Sequence, residues 1–184
     1  MPGKNNLGEW MVVSGRMLQG ILLQIPYPQT ISRYFWCMDK FMQQAIAEAR
    51  LGLEEGGIPI GSVLVHNNEI IGRGHNRRVQ KGSVVLHGEM DALENAGRQP
   101  ASVYNECTIY TTLSPCPMCT GAILLYGIKK VVIGENKTFM GAEDHLRHNG
   151  VEVIVESNDE CIEMMDEFIK KNPALWNEDI GVSP

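Results

Sequence analysis

No apolar stretch in this chain approaches the ~20 residues that a membrane-spanning helix requires. The best candidate, Met17-Leu18-Gln19-Gly20-Ile21-Leu22-Leu23, is cut short by Gln24 and Pro26. It also lacks the basic leader and clean small-residue cleavage site of a signal peptide. Cysteine is scarce and odd in number: five residues with no disulfide-scaffold spacing, which argues for a reducing, cytoplasmic setting. Internal repeats are missing too. Basic charge is in short supply, with 16 Lys and Arg against 22 Asp and Glu and a net charge of −6. Residues 1–37 carry +2 (Lys4, Arg16 and Arg33 against Glu9), which leaves −8 for the remainder. Proteins that bind nucleic acid draw affinity from clustered Lys and Arg on phosphates. Here only Arg73/Arg77/Arg78/Lys81 and Lys129/Lys130 cluster, and such short groups read as solvated faces. The acidic balance favours a small uncharged substrate over tRNA or DNA.

What is present suits one globular domain, with 43% hydrophobic and 21% charged residues over 184 positions. Residues 1–37 read as an N-terminal extension, flexible or non-native, because regular patterning starts at Met38-Asp39. Helical spacing runs over 39–55, closed by Gly56-Gly57. Strand-like runs over 62–66 and 69–72 flank Asn67-Asn68, a tight hairpin. A helix is expected from His87 to about Asn95, a strand over 107–112, and a helix over 115–126 closed at Gly127. Strands over 130–133 and 151–155, with a helix around 142–148 between them, imply parallel pairing. An amphipathic helix over 159–171 follows, and Pro173 opens a final turn. Together these predict an α/β fold, a mixed sheet covered on both faces.

The chemistry concentrates in two motifs. Cys116 and Cys119 are three apart, a spacing that lets both thiols face one ion from a helix. Ser114 reads as the N-cap and Pro115 as the first helical residue, which puts the thiols in a first turn where thiolate is favoured. His87 supplies a third donor and leaves the fourth zinc position for water or hydroxide, the mark of a catalytic rather than a structural zinc. Glu89 stands two residues on, a spacing that brings it near the same ion only at a loop-to-helix turn. As a carboxylate outside the ligand set, it is the candidate proton shuttle. Alone, Cys-x-x-Cys could equally be a redox pair, a structural zinc corner or two buried thiols. The joint order His, Glu, Cys, Cys, with Pro before the first cysteine, is far more specific. Cys107 and Cys161 read as core residues, and His75 as structural; His66, His145 and His148 have no evident partner.

Residues 38–181 resemble the cytidine/deoxycytidylate deaminase superfamily, most closely its fungal-type cytosine deaminase branch. The resemblance is carried by Gly56-Gly57-Ile58-Pro59-Ile60-Gly61, Gly72-Arg73-Gly74-His75-Asn76, Leu86-His87-Gly88-Glu89, Tyr110-Thr111-Thr112-Leu113-Ser114-Pro115-Cys116 and Trp176-Asn177-Glu178-Asp179-Ile180-Gly181. It implies a three-layer α/β/α sandwich around a five-stranded mixed sheet, with residues 38–184 as a zinc-dependent deaminase domain. One zinc per subunit, a homodimer and a free nucleobase substrate are implied as well. So are the site roles: Asn76 and the Gly88 backbone N–H at the pyrimidine carbonyl, Asp179 closing the site from the C-terminal side, and Phe139, Trp176, Ile60 and Leu113 as apolar walls. Ser114 would lie beside the leaving amino group through its carbonyl. Without the resemblance Asn76 would read as a turn residue, Asp179 as a solvated carboxylate and the two aromatics as core. Asn177 departs from the pattern, standing where an aromatic is expected. The expected activity is cytosine deamination; the alternatives are another base such as guanine, tRNA adenosine, or a non-catalytic zinc scaffold, which the intact Glu89 argues against.

Overall fold

The structure, a computed structural model, describes residues 39–182; the extension over 1–37 lies outside the described residues. Helix α1 (Lys40–Glu54) starts where Asp39 caps it, its carboxylate accepting from the Phe41 N–H at 2.9 Å. Met42, Ala45, Ile46 and Ala49 recur at helical spacing and are buried on one face. Strands β1 (Gly61–His66) and β2 (Glu69–His75) pair antiparallel through Asn67-Asn68. Both asparagines have positive φ, 49° and 63°, as a two-residue turn matched to strand twist requires. A short helix α2 (Arg78–Lys81) and then α3 (Gly88–Ala96) follow, with α4 (Ala101–Asn105) leading into β3 (Thr108–Leu113). Next come α5 (Pro117–Tyr126), β4 (Lys130–Glu135), α6 (Glu143–His148), β5 (Glu152–Val155), α7 (Asp159–Lys171) and α8 (Pro173–Asp179).

The sheet order is β2-β1-β3-β4-β5, antiparallel on the hairpin side and parallel from β3 to β5, with helices on both faces as expected. Alternation along the strands divides the core. Ile109, Val131 and Ile133 point to one face with Ile123 and Leu146, while Tyr110 and Val132 point to the other with Met42, Ile46 and Cys161. A third cluster (Ile58, Ile60, Leu113, Met165, Phe168 and Trp176) seals the end of the sheet where β1 begins and β2, β3 and β4 end. Ligand sites of open α/β sheets lie at such carboxyl ends. Two glycines set how close α3 can come to β2. A side chain at Gly72 or Gly74 would collide with the main chain of Ala92, and this contact fixes how far α3 projects its first turn into the site.

Two differences from the sequence reading concern local signals. The helix carrying the cysteines begins two residues later than expected: Cys116 is its N-cap and Pro117 its first residue, so Ser114 and Pro115 belong to the incoming loop. Either proline can occupy a first helical position, and nothing local distinguishes them. Helices α2 and α4 were not expected, because four or five residues are too few to show a period.

Candidate active site

Two metal-type donors occupy equivalent positions in the fold. His87 is the N-cap of α3 and Cys116 the N-cap of α5, both with extended backbone (ψ 164° and 170°). Neither side chain caps its own helix, so both are free to converge away from it. The His87 Nδ1 lies 3.5 Å from the Cys116 Sγ, which lies 3.7 Å from the Cys119 Sγ. Zinc held at about 2.3 Å from sulfur and about 2.0–2.1 Å from nitrogen needs tetrahedral donors about 3.5–3.8 Å apart. The spacing fits. All three donor atoms lie within 4.8 Å of one another. The two thiols share a proton: Cys116 is drawn down to about 4 by the Cys119 S–H and the His87 ring, while Cys119 is pushed well up, so one sulfur is held as the thiolate that zinc takes. Burial opposes charge on His87, but the Cys116 sulfur, Asp179 and Glu89 outweigh it and hold the ring above its ordinary range. Such a concentration of negative groups suits a divalent cation.

Glu89 sits in the first turn of α3, 3% exposed, and its Oε1 accepts from the Thr111 hydroxyl at 3.2 Å. Burial, with the Cys116 sulfur next, raises its carboxyl above the usual carboxylate range. It lines a cavity of about 360 Å³ together with His87 and Cys116. Ile60, Leu113, Ser114, Phe139, Trp176 and Asp179, all expected at the site, line the same cavity. Phe139 and Trp176 meet edge to face, ring centres 5.8 Å apart, and form one wall. Asn76 and Cys119, fully buried, and Gly88 stand behind the lining. Asn76 still reaches the site, because its Nδ2 donates to Asp179 Oδ1 at 3.1 Å. The Ser114 hydroxyl is occupied on the far side, donating to Glu143 at 2.8 Å and accepting from the Gly141 N–H at 3.0 Å. Only its backbone can face a substrate.

Sequence reasoning missed Arg78, which lines the cavity rather than a solvated face and pairs with Asp179 at 2.8 Å and Glu178 at 2.7 Å. Its one local signal is its place two residues after Asn76. His75 is structural as expected, its ring nitrogens 3.3 Å from Glu48 and 3.1 Å from Glu55. His66 has a partner after all, Glu106 at 3.1 Å.

A mixed sheet that presents three zinc-type donors at two helix starts, with a buried carboxylate beside them, defines a zinc-dependent hydrolytic enzyme. The family model for the cytidine and deoxycytidylate deaminase zinc-binding region matches residues 37–135, and the chain belongs to that family. It is 58% identical to a cytosine deaminase of Candida albicans over 143 residues, 77% of this chain and 95% of that protein. It is 36% identical to a tRNA-specific adenosine deaminase of Bacillus subtilis, covering 71% of this chain and 88% of that one. A solved tRNA:A34 deaminase structure superposes with a TM-score of 0.57 at 28% identity, over 67% of this chain and 97% of the other.

Proposed function

We propose that this protein deaminates free cytosine hydrolytically to uracil and ammonia, a step of pyrimidine salvage. The observation that carries this reading is Glu89: a buried carboxylate outside the donor set, beside an open three-donor cluster in a cavity sized for a single base. The 58% identity to a cytosine deaminase over nearly its whole length supports it.

His87, Cys116 and Cys119 would hold zinc, which when bound supplies the Lewis acidity that acidifies water from about 15.7 toward about 7. Glu89 takes a proton from the attacking water as the new C–O bond forms at C4, and returns it to N3. It then carries the proton of the new C4 hydroxyl to the amino nitrogen. The C4–N bond breaks, and ammonia leaves. The raised carboxyl of Glu89 suits a group that must give its proton back as readily as it takes it. Asn76 spends one N–H on Asp179 and keeps the other for the base carbonyl, with the Gly88 N–H assisting. Asp179 meets the ring or amino nitrogen, and the Ser114 carbonyl lies beside the leaving group. Ile60, Leu113, Phe139 and Trp176 enclose the ring.

Deamination of tRNA adenosine, the named activity of the Bacillus relative, is opposed by the charge balance. Arg77 and Arg78 are engaged by Asp91, Glu178 and Asp179 and are not free for phosphates. Among the described residues no helix is long and apolar enough to cross a membrane. Free thiols at Cys107, Cys116, Cys119 and Cys161 suit a cytoplasmic setting. A homodimer would give cover to Val84, Leu125 and Met140, exposed at 76%, 79% and 68%. Ammonia release from free cytosine by the zinc-loaded protein tests the reading; turnover of guanine or an RNA-borne adenine in its place would overturn it.

A further inference from the structure

The Arg78 side chain is only 13% exposed and faces the cavity. Its Nη1 donates to Asp179 Oδ1 at 2.8 Å, and its Nη2 to Glu178 Oε1 at 2.7 Å. Its main-chain N–H donates to Asn76 Oδ1 at 3.1 Å, and Asn76 Nδ2 donates onward to the same Asp179 oxygen, also at 3.1 Å. Asn76, Arg78 and Asp179 thus form a closed ring of hydrogen bonds that ties the segment after β2 to the end of α8. We propose that Arg78 is a positioning residue: it latches α8 over the cavity and selects which oxygen of Asp179 meets the base.

Two donors converge on Asp179 Oδ1, so the carboxylate cannot rotate without breaking both bonds. Oδ2 carries no hydrogen bond among the described residues, and it is the oxygen left for a substrate N–H. The Asp179 side chain is 2% exposed, a depth at which an unpaired carboxylate is costly. Without Arg78 one of the two donors that hold Oδ1 is gone, the carboxylate is free to turn out of the site, and its aim at the base is lost. Arginine is specified by geometry. Its planar fork spans the adjacent carboxylates of Glu178 and Asp179, whereas a lysine ammonium is a point charge on a flexible stem.

The latch also decides how α8 is held. Among the described residues, the polar side-chain contacts of α8 with the rest of the site run through Asn76, Arg78 and His87. What remains is apolar packing of Trp176, Leu175 and Ile180. Glu178 is 61% exposed, so its half of the fork can exchange with water while the Asp179 half stays closed.

The identity of the base rests on the cytosine reading; the latch does not. The test is hydrogen–deuterium exchange across residues 173–182 in the full chain and in Arg78→Ala, Arg78→Lys and Glu178→Gln, read with KM and kcat per bound zinc. The expected result is exchange in 173–182 about 10-fold faster in Arg78→Ala, with β1–β5 unchanged. KM should rise on the order of 100-fold and kcat fall much less, with Arg78→Lys recovering part of the loss. Glu178→Gln should speed exchange with a KM change of only about 2–3-fold. Unchanged exchange in 173–182, or a uniform rise across the sheet with KM intact, overturns the latch. If the natural sequence turns over no cytosine, the substrate reading fails while the exchange comparison still decides the latch. If Arg78→Ala does not fold, Arg78→Lys and Glu178→Gln decide it.

Discussion

His87, Glu89, Cys116 and Cys119 come from two short motifs, each at the start of a helix, whereas Asn76, Arg78 and Asp179 meet across about a hundred residues of chain. The metal half of the cavity is therefore built locally and twice over, with an extended N-cap residue offering its side chain away from its own helix. The other half, which the proposed function assigns to the base, exists only once α8 has docked on the end of the sheet. The two halves should fail differently. Damage to the first removes chemistry or metal while the wall stands; damage to the second weakens the hold on the base while the metal stays.

The largest effect is expected from Cys116→Ala, which removes the donor central to both short contacts. Zinc content by elemental analysis should fall to background, with loss of activity and a lower Tm, because metal binding is coupled to folding. Full zinc retention would take that cysteine out of the donor set. Glu89→Gln should keep zinc and lower kcat by about 10²–10⁴-fold, the range of a lost proton shuttle. A variant of ordinary activity would end the shuttle role. Asp179→Asn should also keep zinc, with kcat/KM for cytosine down about 10–100-fold, chiefly through KM. An effect confined to kcat would place Asp179 among the proton-transfer groups and blur the division. Ser114→Ala is the smallest. It removes one of three donors to Glu143, at a cost of about 1 kcal/mol, or roughly 2–4 °C in Tm, with KM unchanged.

The same division explains what could be read from the residues alone. The metal donors and Glu89 were legible because ligand spacing and helix starts are local. So was the sheet, since alternating strands and amphipathic helices carry their own periods and the Asn67-Asn68 turn its own signal. Asn76, Phe139, Trp176 and Asp179 carried no such mark and were reached through resemblance only. Arg78 escaped even that, because an arginine beside Arg77 and Lys81 reads as surface until its acids arrive from α8. The start of α5 was misplaced by two residues because Pro115 and Pro117 send the same signal, and only the extended backbone at Cys116 selects the second.

The position of α8 also sets an order in time. The ribosome completes the last zinc donor, Cys119, about sixty residues before Asp179. At about 5–20 residues per second, several seconds separate the two. Through that interval all three metal donors have been made while β4, β5 and α8 have still to follow. The wall that α8 gives the cavity is the last of the lining to be made, and under the proposed function the hold on the base comes after the metal donors.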